Sequence, residues 1–154
     1  MKTALSTALR ATLFALSPLS APTAFAAGAG GAPTLMRIAA EPQERPNAVA
    51  LTTERCVSAL KSHDLDAASA ACESAVAAAR RDFVSAQSAL FVPYGYSEEI
   101  AIAYNNRAVL HYLDGKLSLA AADANRALSA AALPAVARTA AAIEAARREA
   151  RTAP

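Results

Sequence analysis

The sequence has no Trp, four Phe, four Tyr, five Gly and only two Cys in 154 residues. So few aromatic residues argue against a β-sandwich or barrel, which draws on aromatic and β-branched side chains. Glycine this sparse excludes a collagen-like chain. The eight Pro gather mostly towards the N-terminus, which leaves the remainder free for regular structure. An excess of one charge is also missing, since 15 Lys and Arg face 13 Asp and Glu. What is abundant is alanine, at 45 residues. Alanine is the strongest helix former and lets helices approach closely, so the composition points to an all-α protein, with one domain expected at this length.

Residues 1–26 have the layout of a secretory signal. Lys2 and Arg10 come first, then the apolar stretch from Ala11 to Leu19, then Ala24-Phe25-Ala26 as a cleavage site before Ala27. Ser17, Pro18, Ser20 and Pro22 interrupt the apolar stretch well short of the roughly 20 residues that span a bilayer, so no membrane span is expected after cleavage. Removing Lys2 and Arg10 leaves the mature chain formally neutral. The one dense basic cluster, Arg147, Arg148 and Arg151, is interleaved with Glu144 and Glu149 and reads as a solvated helix face, so no nucleic acid is expected as a partner. The expected location is the periplasm or the medium.

From Ala27 to Ala48 glycine and proline recur, and the stretch reads as a flexible linker with one apolar island, Leu35-Met36-Arg37-Ile38. The island has three readings: a strand added to another protein, a fold back onto the core, or disorder. Beyond it, apolar residues recur three and four apart, which predicts a helical domain over 49–150 with helices near 49–62, 65–82, 98–113, 117–131 and 135–149. Ser62-His63-Asp64 and Asp114-Gly115 close two hairpins. Ser97, followed by Glu98 and Glu99, suits a helix N-cap, and Pro134 suits a first helical turn. Sliding the chain by 52 residues superimposes Arg55 on Arg107, Val57 on Val109 and Leu65 on Leu117 with the turns in register, which points to repetition.

The stretch Ala103-Tyr-Asn-Asn-Arg-Ala108, followed by Tyr112, Gly115, Leu117, Ala120, Ala124, Ala127, Leu128 and Pro134, resembles a tetratricopeptide repeat (TPR), well over 101–134 and in degenerate form over 49–82. Arg107 stands where that family usually has an apolar residue, and Ala124 replaces its aromatic. The first unit offers His63 and Asp64 in place of the turn Gly. The spacing of 52 rather than about 34 implies an insertion, assigned to 83–98. The resemblance implies antiparallel helical hairpins of TPR-like type that bind proteins or peptides, in a groove lined by Thr53, Val57, Leu60 and Lys61, then Ile102, Asn105, Val109 and Tyr112. The Lys and Asn set that clamps a peptide carboxylate in some family members is not reproduced, so no carboxylate-terminal motif is expected. Val136, Ala140 and Ile143 of a C-terminal capping helix would cover the open apolar edge.

Cys56 and Cys72 are centred on residue 64, the middle of the first turn, and so lie level across an antiparallel hairpin, about 12 Å from the turn. A small residue on each side of the crossing suits the 5.5–6 Å or so between Cα atoms that a disulfide prefers. Three readings compete: a structural disulfide, which an exported chain would form, a redox pair, and a metal site. Redox dithiols usually share one short motif, and metal binding would need His63 or His111, which stand apart; the disulfide is the reading adopted. Phe91-Val-Pro-Tyr-Gly-Tyr96 holds three of the six mature aromatics, so Tyr94 and Tyr96 are candidates either for a partner contact or for a plug between the hairpins. Ser62-His63-Asp64 is too short in reach for a triad. No Gly-x-Ser-x-Gly elbow, phosphate loop or haem motif occurs. The expectation is therefore an exported non-enzymatic scaffold without cofactor or metal, binding a protein or peptide of unknown identity. The alternative is a structural helical-bundle envelope protein, oligomeric or not, with no peptide groove.

Overall fold

Each hairpin turn ends its first helix in the same way, at positions 52 residues apart. In the first, the amides of His63 and Asp64 donate to the carbonyls of Leu60 and Ala59; in the second, those of Gly115 and Lys116 donate to Tyr112 and His111. Both are Schellman closures, in which the residue just past the helix adopts a left-handed conformation to satisfy the last carbonyls. His63 does so at φ 58° and Gly115 at φ 72°. Asp64 then caps the next helix, its carboxylate accepting from the amide of Ala67 at 2.9 Å.

The structure, a computed structural model, describes residues 31–38, 47–87 and 96–153. Its regular elements are α1 (Ala48–Lys61), α2 (Leu65–Gln87), α3 (Tyr96–Leu113), α4 (Leu117–Ala130) and α5 (Pro134–Thr152), with no strand among the described residues. The fold is all-α, two antiparallel hairpins and a C-terminal helix. α1 packs on α2, α2 on α3, α3 on α4 and α4 on α5; α3 also touches both α1 and α5, which do not touch each other, so α3 lies between them. The signal segment 1–26 lies outside the described residues.

Besides shifts of one residue at other helix ends and an α5 that runs on to Thr152, three features differ from the sequence expectation. α2 continues five residues further than predicted, because nothing from Phe83 to Gln87 breaks a helix, and Ala86 on this extension is buried. α3 begins at Tyr96, so Ser97 lies in its first turn instead of capping it, while Glu98 and Glu99 keep their place at the positive end of the dipole. The third difference concerns the linker. Residues 31–38 are extended and lie against the helices: Leu35 and Ile38 pack on the core formed by Val49, Cys56, Leu60, Cys72, Val76 and Leu110, and Met36 packs on Ala101, Ala127 and Val136. Of the readings of the apolar island, folding back is the one observed, since an extended run of three large apolar residues has area to bury.

Alanine shapes the rest. Ala68, Ala75, Ala78, Ala79, Ala103, Ala108, Ala120, Ala124 and Ala127 are all buried at helix contacts. Burying a Leu or Ile fully is worth roughly 1.5–3 kcal/mol, and alanine removes far less area. Val136 and Ile143 of α5 are fully buried, and Ile143 joins Ala108, Ala120 and Ala124, so α5 covers the second hairpin as expected of a capping helix.

Candidate functional site: a groove that holds an extended segment

An extended chain lying across helices has no sheet edge to satisfy its backbone, so side chains must supply the hydrogen bonds. Two adjacent residues of α3 do so. Asn106 accepts from the Met36 amide through Oδ1 at 2.8 Å and donates to the Met36 carbonyl through Nδ2 at 2.7 Å. The carboxamide thus stands in for a neighbouring strand, and only an amide side chain offers that donor and acceptor pair with two heavy atoms side by side. Asn105 donates from Nδ2 to the Thr34 carbonyl at 2.7 Å, and the Thr34 amide donates to Oγ1 of Thr139 on α5 at 3.0 Å. Asn105, Asn106 and Thr139 are each 0% exposed. Residues 34 and 36 turn their backbone groups to the same side, as alternate residues of an extended chain must. Arg37 between Met36 and Ile38 reaches Glu54 of α1 at 3.0 Å, an exposed pair that fixes register more than it stabilises.

The groove residues named from sequence are distributed as follows. Asn105 faces the extended segment. Thr53, Val57, Leu60, Ile102 and Val109 are buried, Tyr112 is half-buried against the Ala108, Ala124 and Ile143 cluster, and Lys61 is exposed. Tyr96 opens α3, while Tyr94 and the rest of the aromatic loop back to Phe91 lie outside the described residues. The strongest clamp, Asn106, was legible only as a repeat position, and Thr139 gave no signal. Oδ1 of Asn105 is buried without a hydrogen-bond partner, as is Oγ1 of Thr53 on α1.

A second polar cluster holds α3 to α4. Asp123, 2% exposed, receives Nε of Arg107 at 2.7 Å and its second guanidinium nitrogen at 3.0 Å, a bidentate fork, while Arg126 adds a contact at 2.8 Å. Both guanidinium groups lie near the Tyr104 ring, at 5.3 and 5.8 Å from its centroid. The hydrogen bond to Asp123 raises the Arg107 pKa further, against the opposing effect of burial. This explains why a cation stands where the resembled repeat has an apolar residue: Asp123, one turn from Arg126 on α4, neutralises it. His111 lies 3.6 Å from the same carboxylate, yet its pKa is lowered, because burial outweighs the attraction of Asp123 and Arg107 and Lys116 add repulsion. At the N-terminus of α3, burial and the nearby Asp82 raise the Glu99 pKa, against the lowering effect of Asn47 Nδ2, which donates to it at 2.9 Å.

Cys56 and Cys72 form a disulfide, as the hairpin geometry predicts. Their Cα atoms are 4.7 Å apart, closer than the usual separation, which the small residues around the crossing allow. Both are fully buried and neither is available as a metal ligand. No described helix is long and apolar enough to cross a membrane. Comparison of the chain with protein-family models, with curated proteins and with solved structures found no match.

Proposed function

We propose that the chain is an exported, non-enzymatic protein-binding scaffold of TPR-like type, and that its groove along α1, α3 and α5 takes a peptide in extended form. The observation that carries this reading is the grip of Asn106 on both backbone groups of Met36, with Asn105 and Thr139 on Thr34. Backbone recognition of this kind accepts many sequences, with selectivity left to the pockets between. Supporting the repeat reading, the two left-handed turn residues are 52 apart, and Thr139 and Ile143 of α5 follow Asn105 and Val109 by 34 residues, the length of one repeat. Supporting export are the signal-like N-terminus and the disulfide, which persists in oxidising compartments.

One observation favours the alternative of a helical-bundle envelope protein: the groove is filled by the chain's own residues, which makes it part of the core. One experiment separates the two. Random decapeptides displayed on phage are selected against the full-length exported protein and against its Asn106→Leu variant. The scaffold reading expects peptides that bind the wild type and lose at least tenfold on Asn106→Leu at unchanged helix content. Absence of any enriched peptide, or binding indifferent to Asn106, favours the bundle.

A further inference from the structure

Resting on the groove reading above, we propose that residues 33–38 are a built-in pseudo-ligand, and that the external partner is an extended segment with the same order of apolar, apolar, basic and apolar residues, which displaces it. The order is read from contacts. Leu35 and Ile38 enter one apolar cluster beneath the segment and Met36 another, while Arg37 between them faces Glu54. The backbone at 34 and 36 is held by side chains rather than by a sheet, so a foreign segment would meet the same donors and acceptors.

Two observations make the occupant exchangeable. It leaves Oδ1 of Asn105, the residue whose Nδ2 holds the Thr34 carbonyl, buried without a partner, so it is an incomplete complement to the groove, and a segment bringing a donor to this atom binds better. Its hold is also shallow: five backbone hydrogen bonds, one of them long at 3.4 Å, an exposed ion pair from Arg37 to Glu54, and three apolar side chains that are each only partly buried. Tethering adds to these contacts, because a connection of eight residues, 39–46, to residue 47 gives an effective concentration on the order of millimolar. A free ligand of equal intrinsic affinity therefore competes poorly, and one that also satisfies Asn105 Oδ1 competes well. The groove is closed by default and opens to a better-matched segment.

The test uses the full exported chain and a fluorescent decapeptide of residues 30–39, GGAPTLMRIA. In the chain, Leu35→Asp with Met36→Asp disables the pseudo-ligand. The expected result is at least tenfold tighter peptide binding to this opened variant than to the wild type, no binding of a peptide carrying Met36→Asp, and at least tenfold loss when Asn106→Leu is added to the opened variant. Equal binding to opened and wild-type chains, or none to an opened variant of native helix content, overturns the proposal. Should the opened variant not fold, the wild type is exposed to a millimolar peptide bearing a photo-reactive group at position 35. Cross-linking that excess unlabelled GGAPTLMRIA abolishes supports exchange, and its absence overturns it. If phage-selected peptides bind through Asn106 while GGAPTLMRIA does not, the pseudo-ligand fails and the scaffold stands; if neither binds, both fail.

Discussion

In the first hairpin Cys56 and Cys72 join α1 to α2 covalently at the crossing, whereas in the second Ala108 and Ala124 hold the corresponding places and Arg107 and Asp123, one residue earlier on each helix, make the join. Both crossings are built from small buried residues and so bring the helices close at little apolar gain. A cross-brace supplements that thin contact in each. One brace depends on redox potential and the other on charge, so the two hairpins respond to different stresses.

The largest effect is expected from removing the covalent brace. Cys56→Ala with Cys72→Ala makes the first crossing resemble the second, and in the loop-entropy model costs roughly 3 kcal/mol. Denaturant unfolding checks this, and reductant should lower wild-type stability by a similar amount; a loss under about 1 kcal/mol would mean that the alanine crossing suffices unaided. Arg107→Leu comes next, at about 2–3 kcal/mol, because the buried Asp123 carboxylate then keeps the exposed Arg126 as its one cation, with His111 at 3.6 Å. Adding Asp123→Ala should recover part of that loss, since an uncompensated buried charge is worse than none.

The turns give smaller differences. His63→Gly should gain about 0.5–1 kcal/mol and Gly115→Ala should lose about 1 kcal/mol, both measured by thermal melting, because both positions are left-handed and only one has glycine. A Cβ at Gly115 meets nothing within 4 Å, so its cost is that of the backbone alone. The smallest effect is from His111. Its folded pKa lies below the ordinary 6.5, so on acidification the unfolded chain takes the proton first. The stability this contributes is full above about pH 6.5 and is lost as pH falls through 6.5 towards the lower folded value. His111→Gln should remove this contribution, so that the wild type loses more melting temperature than the variant between pH 7 and 5, whatever Glu99, with its raised pKa, adds to both; identical pH profiles would contradict the burial of a neutral imidazole.

Much of the fold was legible because alanine-rich periodicity and turn residues act locally. The hairpins, the disulfide and the capping helix follow from spacing about residues 64 and 116, and from Pro134. The site was only partly legible. Asn105 was found through the groove positions, but Asn106 was seen as a repeat residue because its partner, Met36, lies 70 residues away. Thr139 and Asp123 are polar residues in alanine-rich helices, where nothing local distinguishes a buried hydrogen-bonding side chain from a solvated one. The segment 31–38 reads as linker because Gly31 and Pro33 precede a very short apolar run, and only the facing helices give that run a place to settle.

The occupancy of the groove by its own chain is most directly tested by amide hydrogen exchange in the full-length protein, read residue by residue by NMR. Protection is predicted at Thr34 and Met36, with fast exchange at Leu35 and Arg37 between and beside them, and loss of the Met36 protection in Asn106→Leu. Uniform exchange across residues 31–38 at the rate of an unstructured chain, unchanged by Asn106→Leu, would contradict it.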